Sequence, residues 1–405
     1  MKHFVFRQTY FCVEYKCDLP AVLNEKENLE LSQKLHSVSE AQSLAKVKLP
    51  KIIYDFVEGS AGDESLRDLN SAALDKIRLM PRVLVDVSKR SLDLQFLGQD
   101  YGLPFGVAPM GMCNLVWPLA DQIIAREAAR RRFPVAVSTA SSTTLERMIE
   151  LADGFAWFQL YADQSPEFVS DLIERAASAN YDCLILTVDV PIPSRRLRDL
   201  RNGFSYPFHW TVKKVWQFAK YPTWSTRMIL TSLQNGIPEP ANYSSSKQGI
   251  KFDRNAPRTA ANWEFLKQLR DKWTGKLVVK GVLCPDDAIL IKNLGVDAIY
   301  VSNHGGRQLN AAPTAIDSLI SIRETVGKDY PLIYDGGIRN GEHVVKAMAS
   351  GANFTMLGRS MMYALGASGK VGMECIIESI EKECDSSIGL LGCCSSSEIG
   401  SHSLA

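Results

Sequence analysis

The sequence predicts an α/β chain closed into a single (β/α)8 barrel, and three observations predict it. Eight apolar runs of strand length recur between residues 105 and 358. They are near-continuous in Val, Ile and Leu instead of alternating, as strands covered on both faces of a parallel sheet should be. Helical patterns separate them, which is the alternation of a barrel rather than of an open sheet.

The runs are FGVAP (105–109), PVAVS (134–138), FAWFQLY (155–161) and DCLILTV (182–188), then KLVVKG (276–281), DAIYVSN (297–303), PLIYDGG (331–337) and NFTMLG (353–358). LADQIIAREAARR, between the first two, carries apolar residues at helical spacing. GEHVVKAMASG, between the last two, reads as a helix stopped by Gly351. One interval breaks the rhythm: about 197–260 is an insertion after the fourth strand, far longer than an ordinary βα connection. The barrel is therefore expected over 36–400, with 1–35 as an N-terminal extension of no assigned role.

Composition narrows the function. The 405 residues are 46% hydrophobic and 22% charged, which excludes a disordered or fibrous chain. Lys plus Arg is 46 against 45 Asp plus Glu, so bulk charge gives no support to nucleic-acid binding. The nine cysteines are scattered without C-x-x-C spacing, which points to a reducing compartment and away from structural zinc. The N-terminal MKHFVFRQTYFCVEYKC is broken by Arg7, Gln8 and Glu14, so no secretory signal is expected, and no stretch of 18 apolar residues suggests a spanning helix.

Charge is nevertheless uneven. Residues 200–238 contain no Asp or Glu but carry Arg201, Lys213, Lys214, Lys220 and Arg227 among Phe204, Tyr206, Phe208, Trp210, Trp216, Phe218, Tyr221 and Trp224. Aromatic rings with cations suit peripheral contact with a membrane surface. A lid over the barrel mouth, its rings packed on the scaffold, is the other reading.

Polar residues that end barrel strands converge on one face, and that face holds the site. Here they are Ser138, Gln159, Tyr161, Thr187, Asp189, Lys280, Ser302, His304 and Asp335. After the seventh strand come Gly336, Gly337 and Arg339, and after the eighth Gly358 and Arg359. Glycines admit a phosphate to backbone N–H groups and arginines add charge-assisted bonds, so this end reads as a phosphate site. SNHGGRQLN (302–310) carries the chemistry: His304 is the candidate general base, Asp189 its orienting carboxylate, and Arg307 a holder for a substrate carboxylate. No second strand-end His or Cys supplies metal ligands, so no metal is expected.

The segments LPKIIYDF, WFQLY, LTVD, VVKG, SNHGGRQL, DGGIRNG and LGRSMMY resemble the FMN-dependent α-hydroxy-acid oxidases and dehydrogenases, over about residues 36–400. The resemblance implies a TIM barrel that binds FMN and oxidises an L-2-hydroxy acid to the 2-oxo acid. It implies that His304 takes the substrate proton with Asp189 paired to it, that Tyr161 bonds the reacting substrate, and that Arg196 and Arg307 hold its carboxylate. Lys280 would lie beside flavin N1 and O2. Met110, Gly111, Ser138, Gln159, Thr187 and Ser302 would lie about the ring, Asp335 on the ribityl chain, and Gly336, Gly337, Arg339, Gly358 and Arg359 on the phosphate.

Four positions depart from the family pattern. Phe56 stands where a tyrosine usually reaches the substrate carboxylate, Asn310 where an aspartate is usual, and Gly111 where an alanine is common. Ala140 replaces a tryptophan of some members and should enlarge the pocket. This pattern, with RMILTSLQNGIPEPAN in the insertion, is most similar to the (S)-mandelate dehydrogenase branch, whose insertion attaches it to the membrane. The expected function is thus oxidation of a lactate- or mandelate-like acid with electrons passed to a membrane quinone. The alternatives are an oxidase that reduces O2 to H2O2 and, from another class, a non-catalytic flavin-binding or membrane-scaffold barrel, against which the intact set Tyr161, Asp189, Arg196, Lys280, His304 and Arg307 argues. A homotetramer is implied by the resemblance, and the expected location is the cytoplasm or the inner face of the plasma membrane.

Overall fold

A computed structural model describes residues 35–405 except 163–164, 207, 209–210 and 247–248. The expected extension, with Cys12 and Cys17, therefore lies outside the described residues but for its last position, and so does Trp210.

The chain enters through α1 (Val38–Lys48), α2 (Lys51–Glu58) and α3 (Ser65–Lys76). Ser37 and Glu40 form a reciprocal capping box at the start of α1. A two-stranded hairpin follows, β1 (Leu94–Phe96) and β2 (Gln99–Tyr101). Leu97 and Gly98 both have positive φ, 51° and 90°, the backbone twist that a two-residue hairpin turn requires. Its strands are only three residues long, too short for a periodicity argument.

The barrel then runs β3 (Phe105–Met110), α4 (Ala120–Arg131), β4 (Val135–Ser138), α5 (Leu145–Leu151), β5 (Ala156–Tyr161), α6 (Pro166–Ser178) and β6 (Cys183–Thr187). The insertion supplies α7 (Leu197–Asn202), α8 (Val212–Ala219), α9 (Pro222–Asn235) and α10 (Ala241–Ser244). Then come α11 (Trp263–Lys272), β7 (Lys276–Val282), α12 (Pro285–Asn293), β8 (Ala298–Val301), α13 (Ala315–Val326), β9 (Leu332–Tyr334), α14 (Gly341–Ala349), β10 (Phe354–Leu357) and α15 (Arg359–Leu390). All eight expected strands form, each within the run that predicted it to within one residue. They are parallel throughout, and β10 pairs with β3 to close the barrel.

The hairpin covers the N-terminal end of the barrel. Tyr101 and Phe96 pack on Trp157 of β5 and Phe354 of β10, and Trp157 Nε1 donates to Tyr101 Oη at 3.0 Å. With this end plugged by buried rings, access is from the C-terminal ends of the strands.

The insertion is fastened over that open end. Trp224 of α9 is buried and donates to Val116 O at 2.9 Å, and Arg227 lies 4.7 Å over the Trp117 ring. Asn242 of α10 is fully buried and bonds Leu145 N and the carbonyls of Ser138 and Thr139. Arg198 of α7 bridges Asp55 at 3.1 Å and Glu64 at 2.7 Å.

Aromatics of the insertion face inward more than a membrane-facing role for them predicts. Phe204, Phe208, Phe218 and Tyr221 pack on the core, Lys214 is buried over Phe208, and only Trp216 among the described rings is strongly exposed. The outward faces are aliphatic instead: Val212 and Val215 beside Trp216 on α8, and Ile229, Leu230 and Leu233 on α9, followed by Ile237. Among the described residues no helix is long and apolar enough to cross a membrane.

Candidate active site

The C-terminal strand ends open into a cavity of about 630 Å³. Phe56, Met110, Gly111, Ser138, Tyr161, Arg196, Lys280, His304, Arg307, Asp335, Gly336, Gly337, Arg339, Gly358 and Arg359 all line it. Asp189, Gln159, Thr187 and Ser302 lie behind this wall, all but Asp189 buried.

His304 follows β8 with a φ of 56°, in the left-handed region that non-glycine residues rarely adopt. Gly305 continues the tight turn at φ 62°, and a Cβ there would meet Arg359 Nη1 at 2.8 Å. The turn aims Nδ1 at Asp189, 3.0 and 3.1 Å from its two carboxylate oxygens. With Nδ1–H donated to Asp189, Nε2 presents its lone pair to the cavity. Burial pulls the His304 pKa below its ordinary value, Asp189 opposes this, and Lys280 and Arg196 add to it. The imidazole is thus held neutral, the state a general base needs. Burial alone would raise the Asp189 pKa, but His304 and Lys280 bring it below the usual carboxylate range.

Beneath the cavity floor Lys280 Nζ donates to Ser302 Oγ at 2.8 Å, and Ser302 Oγ donates to Asp335 Oδ1 at 2.5 Å. Lys280 also lies 3.5 Å from Asp335 Oδ2 and 5.0 Å over the Tyr300 ring. Burial opposes its charge, but Asp335 and Asp189 outweigh burial and raise its pKa, so Lys280 is a fixed cation. Next to it, both amide atoms of Gln159 and the hydroxyl of Thr187 are buried and have no hydrogen-bond partner among the described residues. Unmatched buried polar groups are costly, so three at adjacent strand ends mark a place for a polar ligand.

The walls are strongly cationic. Arg195, Arg196, Arg254, Arg258, Lys280, Arg307, Arg339 and Arg359 line the cavity, against the carboxylates of Asp199 and Asp335. Burial, with Arg254 acting in the same direction, lowers the Arg196 pKa to about 10. Burial likewise lowers Arg307, with Arg196 and Arg359 adding to the effect. Such crowding of like charge favours an anionic ligand.

Phe56, on α2, stacks on Phe204 of the insertion at 4.8 Å and 16°, and the guanidinium groups of Arg254 and Arg307 lie 5.5 and 5.8 Å over its ring. Arg307 and Arg359 also grip the end of α2. Arg307 donates to the carbonyls of Phe56, Val57 and Gly59, and Arg359 to those of Val57, Gly59 and Gly305 and to Ser60 Oγ. Most of the Arg359 donors expected on a phosphate are thus directed at this loop, whereas the Arg339 side chain donates, among the described residues, only to its neighbour Ile338 O. Gly358 caps the N-terminus of α15, an end that favours anions.

The chain matches a family model described as FMN-dependent dehydrogenase over residues 45–405. It is 36% identical over 369 residues to an (S)-mandelate dehydrogenase of Pseudomonas putida, covering 90% of this chain and 92% of that one. It is 32% identical to an L-lactate dehydrogenase of Pseudomonas syringae, covering 90% and 97%. The chain belongs to the FMN-dependent dehydrogenase family. It is an FMN-dependent hydroxy-acid dehydrogenase of the mandelate and lactate type. Among solved structures, that of the monotopic membrane protein (S)-mandelate dehydrogenase superposes with a TM-score of 0.85 at 34% identity, covering 92% of this chain and all of that one. A mandelate oxidase superposes with a TM-score of 0.77 at 31% identity.

The residues present fit FMN. The unpartnered amide of Gln159 and hydroxyl of Thr187 offer donors and acceptors to the pyrimidine edge of a flavin, and Lys280 offers the cation beside it. At the other end Gly337, Arg339 and the start of α15 can take the phosphate.

The site of this FMN-dependent dehydrogenase also includes residues that strand-end reasoning missed. Leu200, Phe252, Arg254 and Arg258 line the cavity from the insertion, where no strand marks the position. Their one signal was the insertion's length. Gly111 and Ala140, both departures from the family pattern, prove to be neighbours: a Cβ on Gly111 would lie 3.1 Å from that of Ala140.

Proposed function

We propose that this chain oxidises an L-2-hydroxy acid, lactate- or mandelate-like, to the 2-oxo acid and delivers the electrons to a membrane quinone. The observation that carries the reading is the Asp189–His304 pair at 3.0 Å, its free nitrogen directed into a cavity walled by arginines. Arg196 and Arg307 hold the substrate carboxylate, and Tyr161 bonds the oxygen on the reacting carbon. His304 Nε2 takes the proton, and Asp189 stabilises the imidazolium that results. FMN held by these residues would supply the two-electron acceptor for the hydroxyl carbon. Lys280 would hold a fixed positive charge beside the ring, where it favours the reduced form. Space left by Ala140 and Gly111 admits a side chain larger than methyl.

The outward Val212, Val215, Trp216, Ile229, Leu230 and Leu233 support peripheral seating on a bilayer, with the exposed Lys213 and Lys220 beside them meeting anionic headgroups. The corresponding location is the inner face of the plasma membrane, and the assembly a homotetramer. Likeness to a mandelate oxidase favours a second reading in which O2 is the acceptor.

An anaerobic stopped-flow series with lactate, glycolate, mandelate and longer L-hydroxy acids tests the chemistry. Bleaching of the bound flavin supports it, and a flavin left oxidised by every acid overturns it. Oxygen-electrode assays with and without a quinone analogue in anionic phospholipid vesicles separate the two acceptors. Vesicle co-sedimentation of wild type against Leu233→Asp tests the membrane face.

A further inference from the structure

We propose that Arg258 receives a second acidic group of the substrate, so that the preferred L-2-hydroxy acids carry a carboxylate remote from the hydroxyl carbon. The proposal rests on the function given above and names the substrate class of the same site.

Arg258 is only 6% exposed yet lines the catalytic cavity. Its side chain donates to two backbone carbonyls, Ala256 O at 2.7 Å and Asp253 O at 3.3 Å, and Nε has no partner. Among the described residues no carboxylate pairs with it. A buried guanidinium without an anion is expensive, and carbonyl dipoles offset that cost only in part.

Of the other inward cations, Arg195 is exposed to solvent and Arg359 is directed at the carbonyls at the end of α2, at Gly305 O and at Ser60 Oγ. Arg254 forms an ion pair with Asp199, and Lys280 lies against Asp335. Arg196 and Arg307 serve the first carboxylate, and Arg339 the phosphate. Arg258 is left over. Its guanidinium lies 4.9 Å over the Tyr161 ring, so it stands one ring away from the place of the reacting carbon. A carboxylate arriving there supplies the bidentate partner that the protein does not. Leu200 and Phe252 line the same cavity and give an apolar lining for the carbons between the two acids.

The test uses the FMN-loaded enzyme under anaerobic conditions and matched acid pairs: L-malate with (S)-2-hydroxybutyrate, (S)-2-hydroxyglutarate with (S)-2-hydroxyvalerate, and (S)-4-carboxymandelate with (S)-mandelate. In at least one pair the diacid should show kcat/KM about tenfold or more above its monoacid, the range expected for bonds to a charged group. Arg258→Gln should collapse that ratio toward one, and Arg258→Lys should restore part of it. Binding of 2-oxoglutarate against 2-oxovalerate, read from the flavin difference spectrum, should follow the same order. A ratio at or below one in all three pairs overturns the proposal. So does a diacid preference that survives in Arg258→Gln, or a loss equal for both acids, which would make Arg258 a support for Tyr161 alone. Flavin reduced by monoacids without a diacid preference sinks this inference and leaves the function standing. A flavin reduced by neither sinks both.

Discussion

Gly281 and Asp189 approach so closely that no side chain fits between them: a Cβ on Gly281 would lie 2.5 Å from the Asp189 Cβ. Gly281 also holds a φ of 102°, so alanine there is both strained and obstructed. Gly281→Ala should displace Asp189 from His304 and lower kcat by about 10²-fold, as small misplacements of catalytic groups do. Retention of the FMN spectrum with loss of flavin reduction would show that the damage lies in the pair and not in cofactor binding.

The pH dependence follows from the same pair. His304 acts as a base only when unprotonated, and burial places its pKa below the ordinary value. Activity should therefore fall on the acid side with a midpoint below about 6.5. Asp189→Asn removes the carboxylate that opposes the effect of burial, so the acid limb should move to lower pH still. The rate should meanwhile drop by about 10²–10⁴-fold as the imidazolium loses its partner. Profiles of kcat/KM against pH for both proteins check the two directions together.

His304→Gln should abolish reduction of the flavin by hydroxy acids while leaving its reduction by dithionite intact. Undiminished turnover would overturn the base assignment.

Lys280→Met removes the cation that faces Asp335 in a buried setting. Breaking such a pair costs about 3–5 kcal/mol, which should lower the thermal midpoint. The flavin potential should also fall, because the charge that favours the reduced ring is gone. Spectroelectrochemical titration beside a melting curve separates the two effects.

Asn310 shows a compensation that neither residue reveals alone. Its amide donates to Asp63 at 2.6 Å and to Ser65 Oγ at 3.0 Å, and its oxygen accepts from Leu66 N at the start of α3. Asn310→Asp would set two carboxylates against each other and should lower the melting temperature at neutral pH. The Asp63 pKa is lowered chiefly by bonds from Ser65 and Asn310, so this penalty should fade only as pH falls through the carboxylate range. Melting curves at pH 7 and at low pH test the trend.

Much of this was legible before any coordinates. The eight strands announced themselves because a parallel barrel needs continuous apolar runs, and the polar groups gathered at the cavity sit where those runs end. His304, Asp189, Lys280 and Asp335 could be read in that way. The hairpin over the barrel floor could not, because three-residue strands carry no period. Nor could Arg254 and Arg258, whose approach to the cavity depends on how the insertion folds back. The insertion also shows why composition misleads about direction: its rings suggested an outward face, yet Phe204, Phe218 and Trp224 pack inward and aliphatic residues take the surface. For Phe218 and Trp224, helical phase rather than residue type decided which side each met.

The redox machinery hangs from the strand ends of the barrel, whereas Leu200, Phe204, Phe252, Arg254 and Arg258 come from one segment laid across its mouth. That segment is therefore placed to tune the choice of acid beside Arg196, Arg307 and Ala140, which lie outside it. Residues 197–260 contain neither His304 nor Asp189. A chimera with another member's segment should inherit the donor's choice of acid and keep the recipient's flavin.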